Sequence, residues 1–167
     1  EHWGMPGAAD VLMGTFSKSP GSVGGYVCGS RELIDYLRVF ARACMFTASL
    51  PAAVCAGVTE SIRLLVEEPE HRTRLWRNAR RLWSGLQQSG LSVPELESPI
   101  IPVFAGDERL LWAMSLDLFE AGFKCGNVSY PAVPRGESVI RMSVNARHTK
   151  EELDRAVETL RRIGGGV

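Results

Sequence analysis

From Pro69 to the carboxy end, the apolar residues switch repeatedly between the spacing of a helix and that of a strand, and few folds other than α/β accept such a chain. Leu75, Ala79, Leu82, Trp83 and Leu86 predict a helix ended at Gly90. "SPIIPVFAG" reads as a strand, "DERLLWAMSLDLFEAG" as a helix stopped by Gly122, "FKCGNVSYP" as strand or extended chain, and "SVIRMSVNA" as a strand with partial alternation. Thr149 and Glu152 then make a capping box, after which Leu153, Ala156, Val157, Leu160 and Ile163 line one helical face. Arg161 and Arg162 suit the last turn and Gly164 a cap. Residues 69–167 are therefore expected to form a small α/β domain, with Trp76, Trp83, Trp112 and Met114 as packing residues.

The upstream part is organised differently. "ADVLMGTF" and "VGGYVCG" read as short buried strands, and Lys18 lies on the connection between them. Ser30 can cap a helix carrying Leu33, Ile34 and Leu37 on one face. After an irregular "ACMFTASLP", Pro51 suits the first turn of a helix whose Val54, Cys55, Val58, Ile62, Leu65 and Val66 repeat until "EEPEH" interrupts. That interruption is the expected domain boundary.

Nineteen basic and nineteen acidic residues cancel, so no long-range field favours nucleic acid or an anionic membrane. Apolar stretches such as "FTASLPAAVCAGV" are shorter than the ~20 residues a bilayer crossing needs and contain Pro51. The amino end "EHWGMPGAAD" lacks the pattern of a secretory signal, and does not begin with Met, as in a processed product or the later part of a longer chain. Cys28, Cys44, Cys55 and Cys125 form no CxxC pair and read as buried free thiols of a cytoplasmic protein, without a metal site.

A lysine becomes a nucleophile when its amine is held near a carbonyl and can lose its proton. Around Lys18, the hydroxyls of Thr15 and Ser17 could serve a phosphate, and Gly14, Gly21, Gly24 and Gly25 permit close backbone approach. Walker A spacing is absent, because Ser17 precedes the lysine, and "GSVGGY" lacks the GxGxxG spacing.

"ADVLMGTFSKSPGSVGGYVCGSRELIDYLR", followed in order by "FTASLPAAV", "SPIIPV", "YPAVPRGES" and "IRMSVNARHTKEELD", resembles the pyridoxal-phosphate-dependent α-oxoamine synthases over nearly the whole chain. The resemblance implies the carboxy-terminal half of a fold-type I enzyme. Residues 1–50 would finish a larger, mostly parallel sheet of the cofactor-binding domain, 51–68 would be a connecting helix, and 69–167 the small domain. It also implies that Lys18 holds pyridoxal 5'-phosphate as a Schiff base and moves the substrate's α-proton. Thr15 would bind the phosphate, as would Thr47 or Ser49 from the neighbouring subunit of a homodimer, and Arg141 would pair with the substrate carboxylate. Without the resemblance, Arg141 reads as an edge-strand surface charge. His148 is read as part of the helix start rather than as a base.

Two departures stand out: Pro20, where the family commonly has an aliphatic residue, stiffens the turn after Lys18, and "CGNVSYP" leaves the substrate open. The family's pyridine-binding aspartate and ring-stacking histidine belong to a segment upstream of these residues, so the missing half of the enzyme is an expected partner. The implied activity is condensation of a small amino acid with an acyl thioester, on coenzyme A or a carrier protein, usually with decarboxylation, to an α-amino ketone. The competing readings are a non-catalytic scaffold chain and an aminotransferase of the same fold. Nucleic acid, a membrane span and a metal are not expected.

Overall fold

The computed structural model describes residues 3–164; Glu1, His2 and residues 165–167, the ends of the two outer spans expected above, lie outside the described residues. The chain divides into two compact units, one ending at Glu68 and the other starting at Pro69.

The first unit begins with strands β1 (Leu12–Thr15) and β2 (Gly25–Cys28), an antiparallel ladder in which Leu12 faces Cys28 and Thr15 faces Gly25. Helix α1 (Arg31–Phe40) follows, its start fixed by the Ser30 hydroxyl, which accepts the Leu33 N–H at 3.2 Å. A four-residue helix α2 (Arg42–Met45) occupies part of the stretch read as irregular, and α3 (Ala52–Glu67) has Pro51 just before its first turn rather than inside it. Val58 is the one buried residue among the described residues of this unit. The expectation of buried strands is thereby corrected: Met13 is 78% exposed, and β2 is exposed along its whole length. The apolar stripe of α3 is turned as well, since Val54, Val58, Ser61 and Leu64 are the covered positions while Ile62, Leu65 and Val66 face outward. Three helices on a single two-stranded ladder leave most of its surface uncovered. For the same reason Cys28, Cys44 and Cys55 are exposed free thiols, not buried ones.

The second unit has a core of its own. Helix α4 (Glu70–Gln88), β3 (Ile100–Gly106), α5 (Glu108–Glu120), β4 (Gly126–Val128), β5 (Ser138–Ser143) and α6 (Lys150–Gly164) build a three-stranded antiparallel sheet in the order β3-β5-β4. One sheet face carries Ile101, Val103, Ile140 and Met142 against Leu82 and Leu86 of α4, Leu111 and Leu118 of α5, and Leu160 of α6, all buried. Met114 is buried as expected, but Trp112, one helical position off that stripe, is 60% exposed and is corrected to a surface residue. Cys125 is half-buried; burial raises its thiol above the usual range, and its S–H lies 3.3 Å from the Met142 sulfur. Asp107 caps α5, and Thr149 and Glu152 cap α6 reciprocally, Thr149 N–H to Glu152 Oε2 at 2.8 Å and Glu152 N–H to Thr149 Oγ1 at 3.2 Å.

Asn78 is the polar centre of this unit. Buried on α4, its amide donates to the carbonyls of His148 at 2.9 Å, Asn145 at 3.0 Å and Ala146 at 3.5 Å, and so holds the turn that joins β5 to α6. Asn78→Leu keeps the volume but leaves those carbonyls without their donor. A loss of about 3 kcal/mol is expected, seen as a drop of roughly 10 °C or more in the melting midpoint of the second unit by calorimetry. The exposed two-pronged pair Arg81–Asp154, at 2.7 and 2.5 Å, also ties α4 to α6, but removing it should shift that midpoint far less.

Candidate functional site

Lys18 stands on the loop joining β1 to β2, and that loop is closed by its own backbone. Phe16 N–H donates to Gly24 O at 2.9 Å, Ser22 N–H to Phe16 O at 2.8 Å, and Gly21 N–H to Lys18 O at 2.9 Å. The last of these makes Lys18 the first residue of a reverse turn, with Pro20 inside it and Gly21 in the left-handed region at φ 65°. The Pro20 carbonyl accepts the Ser61 hydroxyl of α3 at 3.2 Å, anchoring the turn to a helix. The connection read as buried is exposed in this chain, and the Lys18 amine makes no ion pair among the described residues.

Two hydroxyls lie on the residues that lead into this turn. Thr15 Oγ1 and Ser17 Oγ are 2.8 Å apart, Thr15 Oγ1 also accepts the Ser17 N–H at 3.2 Å, and the Thr15 hydroxyl reaches Gly24 O at 3.3 Å. These bonds fix both hydroxyls on the strand end that enters the Lys18 turn. Thr47 and Ser49 are exposed on the connection between α2 and α3. Leu50, the next residue, seats its side chain where a Cβ on Gly24 would stand, 2.9 Å from it, so this connection runs alongside the Lys18 loop. The first unit thus gathers an exposed amine and hydroxyls on neighbouring segments.

Arg141 belongs to the second unit, and the edge-strand reading of it is overturned: β5 is the central strand. In register Arg141 is flanked by Pro102 of β3 and Gly126 of β4, on the sheet face opposite the core. The same face carries Ile100 and Phe104, half exposed at 49% and 50%, with Val139 and Val128. A single cation on an open apolar face, with no hydrogen bond or ion pair among the described residues, is available to a ligand's anion. His148 is structural, as read: its Nδ1 accepts the Asn145 N–H at 3.2 Å, and its carbonyl accepts Asn78. A cleft of about 250 Å³ beside it, lined by Phe123, Cys125, Met142 and Leu153 among others, contains none of Lys18, Thr15, Thr47, Ser49 and Arg141.

Asn78 and Gly126 were not legible as site-supporting residues. Asn78 gives no signal in the helical pattern beyond being a polar residue on the apolar stripe, between Leu75 and Ala79. Gly126 stands within a departure from the family wording already singled out above.

Residues 2–160 match the protein family described as Aminotransferase class I and II. An 8-amino-7-oxononanoate synthase of Alkaliphilus oremlandii is 41% identical over 98% of this chain and 42% of its own length. A serine palmitoyltransferase of Sphingobacterium spiritivorum is 40% identical over 97% of this chain and 41% of its own. Among solved structures, a lysine-to-alanine variant of serine palmitoyltransferase from S. paucimobilis with a bound PLP–myriocin aldimine superposes with a TM-score of 0.93 at 35% identity, covering 99% of this chain and 42% of that one. The chain spans about 40% of the length of the curated relatives it matches, within their carboxy-terminal portion.

Proposed function

We propose, from the premise that this chain belongs to the aminotransferase class I and II family, that it supplies the carboxy-terminal half of a pyridoxal-phosphate-dependent acyltransferase. The whole assembly would condense a small amino acid with an acyl thioester, releasing carbon dioxide and the thiol and leaving an α-amino ketone. The observation that carries this reading is the exposed, unpaired Lys18 amine on a loop closed by its own hydrogen bonds beside the hydroxyls of Thr15 and Ser17. An amine that can condense with an aldehyde, next to hydroxyls that can hold a phosphate, fits pyridoxal phosphate. Of the two named relatives one is a synthase and the other a palmitoyltransferase, and neither is named an aminotransferase, which favours the synthase reading over amino transfer.

The cofactor, when bound, supplies the electron sink for the charge left as the substrate's α-proton departs. Lys18 would hold the cofactor through Nζ, and the same atom would take the substrate's α-proton. Thr15 binds the phosphate from one subunit, and Thr47 or Ser49 from the other subunit of a homodimer. Arg141 receives the carboxylate. Residues 1–50 are assigned to the cofactor-binding domain, 51–68 to the connecting helix and 69–167 to the small domain. Exposed free thiols suit a reducing cytoplasm, and among the described residues no helix is long and apolar enough to cross a membrane.

The decisive assay gives the complete protein, loaded with cofactor, glycine, L-alanine or L-serine and a series of acyl-coenzyme A donors, and measures thiol and carbon dioxide release. Thiol release dependent on both substrates is expected; conversion of a 2-oxo acid to an amino acid without thiol release would replace the reading by aminotransferase chemistry. Arg141→Lys should keep the cofactor attached but raise the KM for the amino acid by roughly tenfold or more, because an ammonium cannot make the paired hydrogen bonds. Loss of cofactor in that variant would show the role to be misassigned.

A further inference from the structure

Of the covered positions of α3, Val54, Val58 and Leu64 are apolar and the remaining one is Ser61. A serine on that stripe packs little and is a poorer helix former than its neighbours. A helical hydroxyl ordinarily turns back to the carbonyl four residues before it, and Thr59, Thr73 and Thr159 do so at 2.9, 3.3 and 2.8 Å. Ser61 instead donates away from its own helix, to the carbonyl of Pro20, 41 positions earlier in the chain, at 3.2 Å.

That carbonyl belongs to the turn that carries Lys18. The Gly21 N–H closes the turn on Lys18 O at 2.9 Å and the Ser22 N–H ties its far side to Phe16 O at 2.8 Å, so the turn holds its own shape. Pro20 removes one more freedom by fixing its own φ. None of these constraints fixes where the turn stands, because all lie within the connection, and two paired strands of four residues are too small a ladder to be rigid alone. Burial marks the side that is held: Pro20 is half-buried, while Lys18 and Ser19 are exposed. The Ser61 hydroxyl reaches the turn two residues from the lysine, and Leu50, just ahead of α3, packs at Gly24, where the connection ends.

A lysine amine ends a flexible four-carbon stem, so its accuracy toward a reacting atom is inherited from the backbone beneath it, and a misplacement of about 1 Å can cost roughly 10²-fold in rate. We propose that Ser61 is a positioning residue for Lys18: through the Pro20 carbonyl, its hydroxyl ties the lysine's turn to α3 and sets the place from which Nζ takes the substrate's α-proton. The proposal rests on the assignment of that proton to Lys18.

The test uses the complete, cofactor-loaded protein as wild type, Ser61→Ala, Ser61→Thr, Thr59→Val and Lys18→Ala. Two quantities are followed: wash-out of the α-proton of glycine, L-alanine and L-serine into deuterated water, read by proton NMR per folded protein, and amide hydrogen exchange of residues 16–24. Ser61→Ala is expected to slow the wash-out about tenfold, the factor carried by one ordinary hydrogen bond, with the KM for the amino acid within about twofold of wild type and the cofactor still attached. Exchange at the Gly21 and Ser22 amides should quicken by a similar factor, with α6 unchanged. Ser61→Thr, which keeps the hydroxyl, should recover the wash-out to within about threefold of wild type, and Thr59→Val, which removes a hydroxyl bonded inside α3, should match wild type. Wash-out and loop exchange both unchanged in Ser61→Ala overturn the proposal. A slower wash-out that Thr59→Val reproduces also overturns it, since it marks a general weakening of α3, and quicker loop exchange with wild-type wash-out shows a tether that is structural only and overturns it too. If instead Lys18→Ala washes out the α-proton as fast as wild type, the assignment of that proton to Lys18 falls, and the proposal with it.

Discussion

Lys18→Ala in the complete protein is expected to abolish the visible absorption of attached cofactor and to lower turnover by roughly 10³-fold or more. Two functions are lost with one amine: the covalent attachment point and the group that takes the α-proton. The surrounding loop should survive the change, because Lys18 contributes to it only through its backbone carbonyl, which accepts the Gly21 N–H, while the remaining closures run through Phe16, Ser22 and Gly24. Circular dichroism of the variant should therefore match that of wild type. Lys18→Arg separates charge from chemistry, since it keeps a cation in place but offers no amine able to lose its proton at neutral pH. It should be as inactive as the alanine variant; an arginine variant with substantial turnover would reduce Lys18 to an electrostatic role, and an active alanine variant would remove it from the site.

Much of the second unit was legible in the sequence because its signals are local. The capping box of Thr149 and Glu152 and the Gly122 stop each act within one turn of helix, and the structure shows a capped or ended helix at both places. Hydrophobic pattern failed where the covering surface had to be known. Met13, Val27 and Leu65 read as residues to be buried, which is a statement about their chemistry, but none of the described residues covers them. Trp112 failed for a related reason: an aromatic residue one position off the apolar stripe of α5 looks like core in a list of residues and faces outward on a helix. The relation of Gly126 to Arg141 was out of reach for a third reason. It depends on the register between two strands separated by a nine-residue connection, and period-2 alternation gives the face a residue occupies but not the residue opposite.

The isolated 167-residue chain is expected to bind pyridoxal phosphate weakly and to release no thiol from any acyl donor, while the complete protein does both. The reason lies in how unevenly the two units are stabilised. Among the described residues the second unit buries thirteen apolar residues in one cluster, whereas the first buries Val58 alone and leaves Phe46 81% exposed. By area alone, a unit with so little apolar burial cannot offset the conformational entropy of ordering its loops, and that unit carries Lys18, Thr15, Thr47 and Ser49. Amide hydrogen exchange should accordingly find slow exchange in α4, β3, β5 and α6 and fast exchange from β1 through α3, with association at high concentration through the exposed apolar surface. Supplying the upstream half of a relative-length protein, in one chain or as a second one, should slow exchange in the Lys18 loop and restore cofactor binding and turnover together, because covering the first unit is what fixes the amine and the phosphate-binding hydroxyls in place. Slow exchange of the Lys18 loop in a monomeric isolated chain, or thiol release by that chain alone, would show that the first unit holds its site unaided and would overturn the assignment of these residues to half of an active site.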